Sequence, residues 1–455
     1  MTRQTTMLTE EADRRSEVPI ASGPGWRLGV LYGPAVYGVS AAAVALPDAA
    51  RHLHASGPAL AWILTAYAVG IGVGAVTAGR VTDLWGSRPV MLIAVTLLTA
   101  GALACAVAPN LAAVVTGRIL LAVGSGAAQA TALATAAHLP ASQRPAALAR
   151  FGACLAVFSA TAPLAGAVAV AWSWRVALAL PVLSIAAIPL CWPLTTPRRH
   201  REPLDWLGVG LLAVVAAGLL LTAQTAAQHT SAVTITAAAA ATAATGLILA
   251  IRSRRHPGGF VLDGVLSAAW FRRAALAGAG VYGGLFAILY AAPHLLTKLG
   301  YGTTHIGLLL LPGAAVGAAL ARGAAAAARR MPARYVLSAA SLLFAGTLCY
   351  AAVDTGPIGV AAAATAAFAA SAIAQMLLTA EATKHAPPGC RGGAIGLLTL
   401  ATFVGGGGGT ALCAALWQPY GPAAALAITA LLPAAAAAAA WRLCPQATDT
   451  PTQID

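Results

Sequence analysis

Apolar runs of about twenty residues, separated by short polar or glycine- and proline-bearing stretches, recur along the whole of this 455-residue chain. A helix needs roughly 20 apolar residues to cross the hydrocarbon core of a bilayer. Fourteen runs reach or approach that length, at approximately 28–47, 59–79, 89–108, 111–137, 151–171, 176–195, 206–224, 231–251, 274–293, 304–321, 335–352, 357–380, 393–415 and 421–441. The pattern predicts an all-α, multi-pass membrane protein. Alanine fills much of these runs, so 231–251 depends on Leu247, Ile248 and Leu249 for insertion. Small residues also let membrane helices approach closely.

The basic residues orient these runs. Lys and Arg gather in cytoplasmic segments of membrane proteins. With the N-terminus inside, 23 of the 27 basic residues fall in inside segments, and only Arg51, Arg175 and Lys298 fall outside. Arg118 alone lies within a run. An even number of spans, with both termini cytoplasmic, preserves this bias. The longest basic loops, 196–205 and 252–273, bracket spans 7 and 8. The expected organisation is a disordered cytoplasmic tail (1–27), a six-helix bundle (28–195), basic loops with two inserted helices (196–273), a second six-helix bundle (274–441) and a cytoplasmic tail (442–455).

Composition agrees. Only 9% of residues are charged, against roughly 25% in ordinary globular domains. The net charge of +14 does not point to nucleic acid, because the arginines lie in short loops and not on one basic face. Seven cysteines are scattered without metal-ligand or CxxC spacing, as small buried hydrophobes would be. Walker, HExxH and GxSxG patterns are missing, so neither direct ATP use nor an enzyme, metal or cofactor is expected.

The stretch GRVTDLWGSRPVML (79–92) sets Arg80, Asp83 and Arg88 between two apolar runs. It resembles motif A of the major facilitator superfamily at Gly79, Asp83, Gly86 and Arg88, and departs from it at Leu84 and Ser87. Further stretches resemble the 14-span drug:proton antiporter branch: ALPDAARHLHASGPALAWILTAY (45–67), RILLAVGSGAA (118–128), ATAPLAGAVAVAWSWRVALALP (160–181), LDWLG (204–208) and LTKLGYGTTHIGLLLLPGA (296–314). The resemblance covers about 28–441. It implies a major facilitator fold of two six-helix bundles plus two central helices, in the plasma membrane. The partners it implies are a small-molecule substrate, protons and the lipid bilayer, with a monomer as the expected state.

Physically, Asp83 can bind a neighbouring helix N-terminus or an arginine across the two halves and latch the cytoplasmic side, or it anchors topology. Gly79 and Gly86 permit close packing and a tight turn. Pro163 and Gly166, in the motif C region, are candidates for a kink in span 5. Arg118 within a span is expected to face a cavity or a partner, for proton coupling or an anionic substrate, or to form a packing hydrogen bond. The branch commonly carries an acid in span 1 where this chain has Gly38, and an asparagine where it has Ala43. No acid falls mid-span. The proton-coupling candidates are therefore Arg118, Asp48, Glu381 and a histidine such as His294 or His138. Cavity-lining candidates are Tyr32, Tyr37, Trp62, Tyr67, Gln129, Tyr282, Tyr290 and Gln375, since a cavity for amphipathic molecules needs apolar walls with few polar groups. The five glycines at 405–409 suggest a hinge or close helix contact. The expected function is export of a drug, antibiotic or natural product. An importer or facilitator of another solute, and a membrane sensor with the same fold, are the alternatives.

Overall fold

The computed structural model describes residues 24–55, 57–137, 139–140, 143–195, 205–227, 231–255, 263–327, 330–386 and 391–443. The N-terminal tail to residue 23, His138, most of the basic loop before residue 205 and the tail after residue 443 lie outside the described residues. The described chain is helical: α1 Pro24–Leu53, α2 Gly57–Trp85, α3 Ser87–Val107, α4 Leu111–Ala137, α5 Arg144–Trp172, α6 Trp174–Leu194 (mixed α and 3-10 turns), α7 Trp206–Ala227, α8 Ala232–Arg255, α9 Ala269–Lys298, α10 Thr303–Ala327, α11 Ala333–Val353, α12 Pro357–His385, α13 Arg391–Thr429 and α14 Leu431–Trp441.

Twelve helices among the described residues are long and apolar enough to cross a membrane, against fourteen runs in the sequence. The difference arises at two places. Thr303–Gly317 of α10 counts as a shorter apolar helix, and Gly392–Trp441 counts as one stretch of 50 residues. At 1.5 Å per residue that stretch would span about 75 Å, more than twice a bilayer core. It does not run straight: Gly421 takes φ 81°, ψ 170°, outside helical space. Prolines 419 and 422 flank it.

The expected boundaries need two corrections. Residues 24–27, assigned to the disordered tail, form the first turn of α1, because that turn packs on α5. Gly25 lies so close to the Ala147 carbonyl that a Cβ would overlap it. Likewise α9 starts at Ala269 and not at 274, with Phe271 and Ala274 already buried.

Helix starts repeat along the chain. Gly57 and Thr303, Ser87 and Ala333, and Leu111 and Pro357 open matching helices, each pair 246 residues apart. Packing repeats with them. In the first half α1 packs on α4, α5 and α6, and α4 on α2 and α3; in the second α9 packs on α12, α13 and α14, and α12 on α10 and α11. The halves meet along two seams, α2 against α13 and α5 against α10, with α1 also touching α9. Helices α7 and α8 pair with each other, and α7 leans on both α2 and α13. Only 22% and 11% of their apolar windows are buried, so this pair is peripheral.

Candidate functional site

Glycine makes the α2–α13 seam tight. A Cβ on Gly79 would stand 2.6 Å from the Gly392 carbonyl oxygen, and one on Gly396 2.6 Å from Val76 Cα. Such approach brings the end of α2 onto the start of α13. There the Gly393 backbone N–H donates to Asp83 Oδ2 at 3.3 Å. The first amides of a helix have no intrahelical acceptor and carry partial positive charge, so a carboxylate fits them. Asp83 and Arg80 are not in a turn, as the sequence suggested. They sit on the last turns of α2, and the turn is Gly86, at φ 84°. Glycine permits that left-handed conformation without strain. Arg88 stays within its own half: its Nε donates to Thr195 Oγ1 at 3.3 Å and its guanidinium lies over the Trp192 ring.

Arg118 is fully buried in the first half. Its Nε donates to the Ile63 carbonyl at 3.3 Å, one terminal nitrogen to the Leu178 carbonyl at 3.0 Å, and the other to the Gly38 carbonyl. One α4 side chain thus ties α1, α2 and α6 together. Its cationic carbon lies 4.1 Å from the Tyr67 ring centroid, a cation–π contact. The Tyr67 hydroxyl lies 2.9 Å from the Ala35 carbonyl and 3.0 Å from Ser125 Oγ. Among the described residues Arg118 forms no ion pair with a carboxylate. Tyr67 occupies the space that a side chain at 38 would need, since a Cβ on Gly38 would overlap its ring. In this conformation Arg118 meets carbonyls and an aromatic face, and no solvent.

In the second half a small cleft lies between α9, α12 and α13, lined by Tyr282, Gln375, Thr379, Ile395, Thr399 and Thr402 among others. The Tyr282 hydroxyl donates to Gln375 Oε1 at 3.0 Å, and Gln375 Nε2 donates to Thr379 Oγ1 at 3.2 Å. Tyr282 and Gln375 are the two sequence candidates that line this cleft. Tyr32 stacks with Phe151.

The other candidates stand apart. Tyr37 shares a hydrogen bond with Thr161 at 2.8 Å and packs on Phe158, between α1 and α5. Trp62 is half-buried on α2. Tyr290 and His294 form an aromatic group with Trp417, and His294 Nδ1 lies 2.8 Å from the Tyr290 carbonyl oxygen. Asp48 pairs with Arg51, its neighbour one turn on. Glu381 lies 3.4 Å from His385, whose ring stacks on Trp270. Gln129 is buried without a hydrogen-bond partner. Pro163 lies inside an uninterrupted α5. A Cβ on Gly307 of α10 would sit 2.9 Å from the Pro163 carbonyl oxygen, so this region makes the second seam. Gly166 abuts Ala41 of α1.

Sequence reading missed the bridge made by α7. Gln224 Nε2 donates to Thr65 Oγ1 at 2.9 Å, while Leu220 packs on Gly407. A lone glutamine in an apolar run was the available signal. The five glycines face different neighbours: Gly405 and Gly409 abut Ala279 and Gly283 of α9, Gly406 meets the Phe286 ring, Gly407 meets Leu220, and Gly408 meets open space.

Together, a repeated six-helix unit, two small-residue seams and a polar cleft inside an apolar helical shell define a multi-pass membrane protein with the architecture of a transporter. Residues 28–410 match the Major Facilitator Superfamily, and the chain belongs to that family. Among curated relatives it is similar to "Multidrug resistance protein Stp" of Mycobacterium tuberculosis (strain CDC 1551 / Oshkosh), 32% identical over 185 residues, 39% of this chain and 34% of the relative. It is also similar to "Efflux pump aflT" of Aspergillus parasiticus (strain ATCC 56775 / NRRL 5862 / SRRC 143 / SU-1), 28% identical over 159 residues, 34% of this chain and 31% of the relative. The matched stretches thus span about a third of these relatives' length. The D-xylose-proton symporter has the same fold, with TM-score 0.61 at 15% identity over 92% of this chain and 98% of that one. So does the human organic anion transporter MFSD10 (TETRAN), with TM-score 0.61 at 16% identity over 93% and 100%.

Proposed function

We propose that this protein exports hydrophobic or amphipathic small molecules, of the drug, antibiotic or natural-product class, across the plasma membrane by alternating access. The observation that carries this reading is the repeat: two helical units, offset by 246 residues, meet along glycine-lined seams and can rock about them. The relatives named for multidrug resistance and efflux support the direction and the substrate class. The moving units are 24–195 and 269–441, with α7 and α8 inserted between them. Fourteen crossings are proposed, with α10 as one and the break at Gly421 separating the last two. Both termini are then cytoplasmic, and Asp83 of α2, bound at the start of α13, latches the cytoplasmic side. The protein works as a monomer.

Proton exchange is the proposed energy source. A second reading, an uncoupled facilitator, is favoured by one observation: Arg118 is buried without a carboxylate. Accumulation of ethidium and a panel of amphipathic drugs in a pump-deficient host, with and without an uncoupler, separates the two. Lowered accumulation that an uncoupler restores supports the antiporter. Equilibration insensitive to uncoupler supports the facilitator, and no change across the panel contradicts export.

A further inference from the structure

The 246-residue offset pairs Ser125 with Ser371 and Gln129 with Gln375, on α4 and α12. The two amides have different surroundings. Gln375 is satisfied inside the protein, by the Tyr282 hydroxyl on its oxygen and Thr379 on its nitrogen. The offset puts Leu133 where Thr379 stands, and α1 and α9, whose starts are 245 residues apart, match Tyr37 to Tyr282; Tyr37 bonds to Thr161 instead. Gln129 is 1% exposed, and neither its Oε1 nor its Nε2 has a hydrogen-bond partner. A buried amide without partners is strongly disfavoured, and buried polar atoms nearly always have one.

Position makes this amide useful. Ser125 lies 3.0 Å from the Tyr67 hydroxyl, which lies 2.9 Å from the Ala35 carbonyl, so residue 125 of α4 is level with residue 35 of α1. One turn on, about 6 Å along α4, Gln129 comes level with Leu31 and Tyr32 on antiparallel α1. That helix touches α9 of the other half. Gln129 therefore sits buried where α4 passes α1, the helix that meets the other half, and its counterpart amide in that half is already filled.

We propose that Gln129 recognises substrates that carry a primary carboxamide or a lactam, whose C=O and N–H lie on the same side. The substrate carbonyl accepts from Gln129 Nε2 while the substrate N–H donates to Gln129 Oε1. This deepens, and rests on, the transport reading above by naming the functional group that the first half selects.

The test uses the purified full-length protein and a series differing only in that group: benzamide, N,N-dimethylbenzamide and methyl benzoate. Benzamide should raise the melting temperature of the wild type at an about tenfold lower concentration than the other two, the worth of roughly one buried hydrogen bond. Gln129→Leu should erase that preference. Leu133→Thr keeps the amide but supplies the hydroxyl that Thr379 gives Gln375, and should weaken the preference. Equal protection by the series, or protection by none of them, overturns the proposal. So does a benzamide preference that survives in Gln129→Leu, even if that variant melts higher, since water alone would then fill the site. Ethidium has no carboxamide, so its export by the wild type tests the transport reading separately. Failure there with the benzamide preference intact removes transport and keeps the amide site.

Discussion

The carboxylate of Asp83 receives the backbone N–H of Gly393 at 3.3 Å, joining residues 310 apart in the chain. The contact crosses from α2 of the first half to the first turn of α13 in the second. A charge at a helix N-terminus contributes up to about 2 kcal/mol where partly buried. The contact therefore favours the arrangement in which these two ends touch.

Asp83→Asn keeps the shape and removes the charge. Loss of about 1 kcal/mol from the closed arrangement corresponds to roughly fivefold in its population. Efflux rate per molecule should fall by about that factor, while the amount of protein in the membrane is unchanged. An unaltered rate would mean that Asp83 only sets topology.

Gly79 and Gly392 let those ends meet. A Cβ on Gly392 would stand 2.9 Å from the Gly79 backbone carbonyl oxygen and would crowd the Asp83 carboxylate, so Gly392→Ala must push α2 from α13. Transport should drop at least as far as in Asp83→Asn, and the double variant should be no worse than Gly392→Ala alone, because both act on one contact. Additive losses would show that the two residues work separately.

Arg118 serves as a structural tie in this conformation. Arg118→Ala leaves the carbonyls of Gly38, Ile63 and Leu178 without this donor, at about 1–3 kcal/mol for each buried group. Thermal melting of the purified protein should fall clearly, with Arg118→Lys in between because one ammonium cannot span three helices as a planar fork does. Gly38→Asp should also destabilise, by collision with the Tyr67 ring. Adding Tyr67→Ala should recover part of that loss, as the acid gains space beside the guanidinium. No recovery in the double variant would contradict this account of the filled pocket.

The glycine run predicts a sharp contrast. Gly405→Ala and Gly409→Ala push α13 off α9, whose backbone they abut, and should lower stability. Gly408→Ala meets open space and should be neutral or stabilising by up to about 1 kcal/mol, the helix preference of alanine over glycine. Equal effects of all three on melting would argue for a uniform hinge in place of packing.

Much of the fold was legible in the sequence because the bilayer imposes a length and a charge rule. The apolar runs mark the helix bodies, and the Asp83 stretch was readable as a contact between halves. Helix ends were less legible: α1 begins at Pro24 because Gly25 packs on α5, a tertiary contact with no local signature. The site was legible only in part. Tyr282 and Gln375 look like Tyr37 and Gln129 in sequence, yet Tyr282 and Gln375 bond to each other while Tyr37 turns to Thr161. What distinguishes them is the neighbour on another helix. Similarly, the sequence offered Arg118 no mid-span acid, but no sequence pattern tells which three carbonyls it meets.

The central claim is directional transport by two rocking halves, and reconstitution tests it most directly. Proteoliposomes loaded with ethidium, with the protein's arginine-rich side facing the lumen, should release the dye faster than protein-free vesicles when the outside is made acidic. Asp83→Asn should slow that release about fivefold. Release no faster than from protein-free vesicles, for ethidium and for a panel of amphipathic drugs, would contradict the account.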